Sequence, residues 1–513
     1  MAEPSSKIDP REDAERGGAS PLLRIPSGPS SPTVSSPGPP TRIGRSALGV
    51  PTRLALTLLV GWLAATSPLL AIALVVALLG AISLSTRVWL GVSWFLLAGL
   101  VVLSYGFNNV AFPLPGANVP LVDVLLVFAL AASFPFWRDA TSTPLGRRLI
   151  WLLSLMTLIA LARLAVDVPH YGQTAGRDAL YVLESWGVFV GYAMVRASGV
   201  ERTQRMLSVL WSVALGWFLL YPLREQLAEA GPSVGIQRPT ALLSFTSIGI
   251  VSAIALFWFL DDRRRGSMAL SALALTLVVV AQIRGIYLAI PLALIAIWIS
   301  DHRPVSRLVP ALARIGCVVA IVAVLLASLP PLPGRVGEQV SVATVITQLT
   351  TLSGADGPGA GSLSHRAEAW PLVVETVRDA PAGPLFGVGY GPDLFDGFTI
   401  VGDVEVRKPH NDFLEVWART GFLGLAPWLA LLGLLAVWSF RVASRHPRGW
   451  WLIGLQSVAF MSAATQPFFG FSYGGLVYMM LMGIGLGLGG EIPTRGRSVT
   501  SQKKPRPYSS LAT

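Results

Sequence analysis

A chain of 513 residues that is 53% hydrophobic and only 13% charged, with a mean hydropathy of +0.61, is not a soluble globular protein, because such domains average about 25% charged residues. The net charge of +11 does not signal nucleic-acid binding either. The basic residues gather in the two tails and in alternate loops, at 138–148, 196–205, 261–265, 301–307 and 441–448, and that alternation is the positive-inside pattern of a membrane protein.

Residues 1–46 are rich in Pro, Ser, Gly and Arg without apolar periodicity, and read as a disordered cytoplasmic tail. They have no early apolar stretch with a small-residue cleavage site, so they do not read as a signal peptide. Residues 47–329 carry apolar blocks near 54–66, 69–83, 88–105, 119–135, 149–166, 179–195, 206–222, 241–260, 267–283, 286–300 and 309–329. Residues 413–490 carry three more, near 413–440, 450–466 and 474–490. A span needs about 20 apolar residues. The first two blocks are short and split by Ser67-Pro68, as a hairpin or as one broken helix plus a half-span. The expected fold is therefore all-α, a polytopic transmembrane helical bundle of about 12–14 spans. With 14, both tails and every Arg-rich loop fall in the cytoplasm. Residues 491–513 form a second basic tail, suited to orientation and to anionic lipid. The lone cysteine, Cys317, lies in an apolar block and reads as a small buried hydrophobe.

One outer segment stands apart. Residues 330–412 are too long for a simple connection and carry ten Asp/Glu against five Lys/Arg. Trp370, Phe386, Tyr390, Phe395 and Phe398 argue that the segment is ordered, as a lid on the outer face. Within it, 362–381 reads as a short amphipathic helix, with Arg366, Trp370, Val373 and Val377 near one face, broken or restarted at Pro371. Gly387, Gly389 and Gly391 allow positive φ or close approach of backbone. They lack the strand-to-helix context of a nucleotide loop and read as a tight turn near a ligand.

KPHNDFLEVWARTG (408–421) follows. Asp412 and Glu415 have capping-box-like spacing, so a helix is expected from about Phe413, with His410 just outside it and Glu415 paired to Arg419. His410 thus sits at the water–membrane boundary beside unpaired helix N–H groups. Two readings stand: a helix-entry histidine bonded to backbone, or a base beside an anionic lipid head group. Metal-ligand spacing is absent around it. Arg284 separates two apolar blocks almost without a loop. An arginine at that depth pairs, lines a cavity, or snorkels to the interface. Arg163 is expected to pair with Asp167 or another helix, and Arg238 stands ready on the outer face.

HNDFLEVWARTGFLGL (410–425) resembles the signature of the O-antigen ligase and polymerase family, membrane glycosyltransferases in which His-Asn or His-Ser opens a helix with two later glycines. His410, Asn411, Leu414, Gly421 and Gly424 fit that signature, as do the large preceding loop, the arginine of SHRAEAW, the FGVGYG run and the Arg-Gly pair at 284–285. The resemblance spans roughly 238–430. It implies transfer of a glycan from a polyprenyl (undecaprenyl) diphosphate carrier to an acceptor hydroxyl on the outer face of the bacterial plasma membrane, in lipopolysaccharide or exopolysaccharide synthesis. It also implies a role for Arg284, Arg366 and Arg238 on the diphosphate and for His410 as base. Asn411, Trp370 and the three loop glycines would support them. Direct displacement would invert the anomeric centre, with no metal or cofactor required. The acceptor is a lipid-anchored core, a second repeat unit or a protein hydroxyl, and ligase and polymerase stay equally open. Two readings from other classes compete. A transporter or flippase, for polysaccharide or small anions, would show internal repeats and broken midplane helices; no clear repeat is present, and the candidate functional residues cluster outside rather than mid-membrane. A membrane scaffold would leave Arg284 and His410 without a role.

Overall fold

The structure is a computed structural model. It describes residues 88–489 except 115–116, 225–242, 263–265, 301–307, 329–333, 336–339, 351–360, 396–398, 401–403, 406 and 446–448. The two tails, the first two apolar blocks and Arg238 lie outside the described residues.

Helices dominate. Those of ten or more residues are α1 (Val88–Val102), α2 (Leu121–Ser133), α3 (Pro144–Tyr171), α4 (Gly187–Ser198), α5 (Val200–Phe218), α6 (Phe245–Asp261), α7 (Ser267–Ala281), α8 (Arg284–Ser300), α9 (Leu308–Ser328), α10 (Gly361–Asp379), α11 (Asp412–Arg445), α12 (Trp450–Thr465) and α13 (Gly475–Gly489). Among the described residues the strands are two short antiparallel pairs, Ala111–Leu114 with Ala117–Pro120 and Thr399–Ile400 with Val404–Glu405. The all-α expectation holds for the described residues. Among the described residues, three helical stretches are long and apolar enough to cross a membrane: Leu121–Thr141, Pro144–Tyr171 and Asp412–Arg445.

The outward faces carry apolar side chains that water would not tolerate. On α3, Trp151 is 70% exposed and Leu158 66%; on α8, Trp298 is 64% exposed. Contiguous exposed apolar surface of this kind marks a lipid-facing wall. Inside, helices meet through small residues, as lipid-embedded helices do when close packing replaces the hydrophobic effect. Gly191 on α4 and Gly483 on α13 face each other's partner backbone so closely that a Cβ on either would strike a carbonyl of the other helix. The α7–α8 hairpin has almost no loop, as expected. Gln282 turns the chain in the left-handed conformation at φ 52°, and Arg284 opens the next helix.

Three expectations need correction. Cys317 on α9 is exposed rather than a small buried hydrophobe. Residues 179–195 are not one helix; a short helix Leu180–Ser185 precedes α4. Pro371 does not break α10. An interior proline removes one donor and crowds the carbonyl four residues back, and α10 continues through it with its apolar face packed. Ala369, Val373 and Val377 pack with Leu394, Phe395 and Ala418 in a cluster of their own.

Candidate active site

The site is built where α11 begins. Asn411 caps the helix through its Oδ1, which accepts from Leu414 N at 3.1 Å. The capping-box expectation on Asp412 is thus displaced by one residue. Asp412 points away from the cap, and its Oδ2 accepts from Phe469 N at 2.7 Å. Immediately before the cap, His410 adopts φ 51°. A left-handed non-glycine residue costs about 1–3 kcal/mol and persists only where its surroundings impose it. Here Trp370 Nε1 donates to Pro409 O at 2.8 Å, so α10 holds the turn from one side.

The imidazole is oriented by its own segment. His410 Nδ1 lies 3.0 Å from Lys408 O. A carbonyl can only accept, so Nδ1 carries the proton and Nε2 keeps its lone pair. His410 is held below the ordinary imidazole range, chiefly by burial and further by Arg366 and Arg335, against the Lys408 carbonyl and Glu415, which raise it. The ring is therefore neutral at physiological pH with a free basic nitrogen.

Three arginines stand near one another. Arg366 of α10 feels Arg335 and Arg284, and its pKa is lowered first by burial and then by those two cations. Arg335 is shifted the same way, by burial and then by Arg284. No carboxylate among the described residues pairs with Arg335 or Arg366. Clustered cations without a carboxylate partner form a site for an anion with several charges. Gly285 explains the Arg-Gly pair: it is buried against Thr465 of α12, where a Cβ would strike Thr465 Oγ1, so Arg284 is drawn in close. Gly334 packs on the Gln282 side chain, bringing Arg335 to the same hairpin.

The glycine run is structural support. Gly387, Gly389 and Gly391 all have positive φ, at 73°, 99° and 105°. They lay the loop on α11 where that helix is broken at Gly421 (φ 60°, ψ −165°). The break frees carbonyls that the α-helical ladder would consume. Val388 N donates to Ala418 O at 2.7 Å and Gly389 N to Arg419 O at 3.1 Å.

Buried charges fix the other side of this loop. Asp167 Oδ2 accepts from Tyr390 N at 2.7 Å and takes Arg163 Nε at 3.0 Å, the pairing expected for Arg163. Asp178 Oδ2 accepts from Gly391 N and Arg407 Nη2, each at 3.0 Å, and lies 3.2 Å from Arg419 Nη2. The expected Glu415–Arg419 pair does not form. Arg419 turns to Asp178 and to the carbonyls of Gly389 and Pro392, while Glu415 Oε1 meets Lys408 Nζ at 3.2 Å. Helix spacing permitted the i,i+4 pair; partners brought in from other segments displaced it.

Arg366 and Arg335 act on His410, Arg284 acts on those two arginines, and Asn411 and Trp370 fix the turn at His410, while the three glycines dock farther along α11, at Ala418 and Arg419. Arg335, Lys408 and Asp178 have functional or structural places that the sequence reading missed. Arg335 and Lys408 left a signal there, as two of the five cations in an acidic loop.

The fold and this arrangement define a polytopic helical membrane protein with a guanidinium cluster beside a neutral histidine. Residues 269–429 match the family model described as O-antigen ligase. The match runs from α7 to the first half of α11 and contains Arg284, Arg335, Arg366, the glycine run and His410. Over that segment the chain is similar to the O-antigen ligase family, in agreement with the resemblance carried by residues 410–425. No curated protein matches the chain.

Proposed function

We propose that the protein transfers a glycan from a polyprenyl diphosphate carrier to an acceptor hydroxyl on the outer face of the bacterial plasma membrane, as a ligase or as a polymerase of surface polysaccharide. The observation that carries this reading is the pairing of His410, with Nδ1 committed to Lys408 O, with Arg335 and Arg366, which have no carboxylate partner among the described residues.

The chemistry follows from those groups. The donor diphosphate sits among Arg284, Arg335 and Arg366, where guanidinium groups offer bidentate contacts without titrating. Arg335 joins Arg284 and Arg366 there; Arg238, the third candidate from the sequence, lies outside the described residues. His410 Nε2 accepts the proton of the acceptor hydroxyl as its oxygen attacks the anomeric carbon. The bond from that carbon to the diphosphate oxygen breaks, and the arginines stabilise the charge that develops on the leaving group. A single displacement of this kind inverts the anomeric centre.

The test is complementation of a deletion strain with the wild-type gene or with His410→Asn. Asparagine tolerates the left-handed conformation but cannot act as base. Lipid-linked and surface glycans are then profiled. With His410→Asn, long polymer accumulating on the carrier supports a ligase, and single repeat units a polymerase. A glycan profile identical to wild type would overturn the assignment.

A further inference from the structure

Lys408 and Glu415 have no part in the chemistry just described, yet both are drawn in beside the site. Their side chains are only 23% and 8% exposed. A buried ion pair contributes little net stability, because desolvation offsets its attraction. Its use is better sought in what it fixes. Lys408 is the residue whose carbonyl holds His410 Nδ1, and its own ammonium is tied to Glu415 one turn inside α11. The ammonium also stands 5.9 Å from the centre of the Phe471 ring. The segment 408–411 is thus pinned by the Lys408 ammonium, the Trp370 bond to Pro409 O and the Asn411 cap. His410 is the strained residue between these fixings.

We propose that the Lys408–Glu415 pair is a positioning device, which sets the Lys408 carbonyl so that His410 keeps its left-handed conformation and presents Nε2 as the basic nitrogen. The proposal rests on the reading of His410 as the base. Two observations fit it. Burial works against the Lys408 charge, but Glu415, Asp178 and Asp412 outweigh it and raise the pKa, so the ammonium stays charged and the tie is permanent. The second oxygen of Glu415 has no hydrogen-bond partner and borders a cavity of about 20 Å³ shared with Asp178, Glu184, Asp412 and Arg419, room for roughly one water. Among the described residues Lys408 is the ion-pair partner of Glu415.

The charges that act on His410 are Arg366 from α10, Arg335 from the 334–335 segment, and Glu415 from α11. Glu415 is the acid among them. Its negative charge favours the imidazolium, so neutralising it lowers the His410 pKa further and moves the acid limb of the rate profile to lower pH.

The experiment uses the full-length enzyme in lipid nanodiscs with a lipid-diphosphate glycan donor. In Glu415→Gln and Lys408→Met, kcat is expected to fall about tenfold, a part of the roughly 10²–10⁴ that a general base supplies, with KM for the donor little changed. Lys408→Arg should retain most of the rate. In Glu415→Gln the acid limb should move to lower pH. The ¹⁵N signal of His410, assigned by its loss in His410→Asn, should change from one Nδ1-protonated tautomer to a mixture. A fall in rate with tautomer signal and acid limb unmoved would make the pair merely structural and overturn the proposal. Unimpaired Glu415→Gln beside inactive His410→Asn would overturn it alone. Full turnover by His410→Asn would remove the base assignment and this proposal together.

Discussion

Three local facts suit His410 to the proposed role of base: its Nδ1 is committed to Lys408 O, burial and two arginines disfavour its charged form, and its backbone is held at φ 51°. Since the neutral ring is the active form, activity is expected to be lost as pH falls through a pKa below the ordinary 6.5. A kcat/KM profile with its acid limb above 6.5 would contradict that. The arginines act differently. Each cation lowers the pKa of its neighbour, so an incoming diphosphate relieves repulsion as well as gaining contacts. Arg366→Lys keeps the charge and loses the fork. At about 1.5–3 kcal/mol for a charged hydrogen bond, kcat/KM should fall roughly 10- to 100-fold. Wild-type kinetics in steady-state assay would mean that Arg366 does not touch the donor.

At the scale of elements, the break in α11 decides where the glycine run can lie. Gly421 has a conformation closed to other residues, and a Cβ there would strike the Leu385 carbonyl group. Gly421→Ala is expected to cost about 1–3 kcal/mol, read as a lower unfolding midpoint in detergent, together with reduced turnover as residues 387–391 lose their docking carbonyls. An unchanged midpoint would show that α11 can straighten without penalty. The sequence carried part of this element. Its start near Phe413, its two glycines and its apolar length were legible from spacing. The partners of Glu415 and Arg419 were not, because i,i+4 spacing offers a neighbour but cannot show a competitor that arrives from 408 or from 178.

For the whole molecule, Asp178 ties the two halves of the site. It precedes α4, outside the matched segment, and accepts from the glycine run, from Arg407 and from Arg419. Removing its charge leaves Arg419, which is 1% exposed, without its carboxylate. Asp178→Asn should destabilise the fold by about 3–5 kcal/mol, measured by thermal unfolding in nanodiscs. Retained stability would show that the carbonyls of Gly389 and Pro392 suffice for Arg419. The sequence by itself determined the class of this protein: long apolar blocks, cations in alternate loops and a His-Asn helix start each follow from local composition, and burial in lipid requires no knowledge of packing. Only the tertiary structure decided which cations share a site, which nitrogen of His410 is basic and which acid holds which base. Those depend on distances between residues far apart in the chain, such as Asp178 and Gly391 or Gln282 and Gly334, and no periodicity along the chain encodes them.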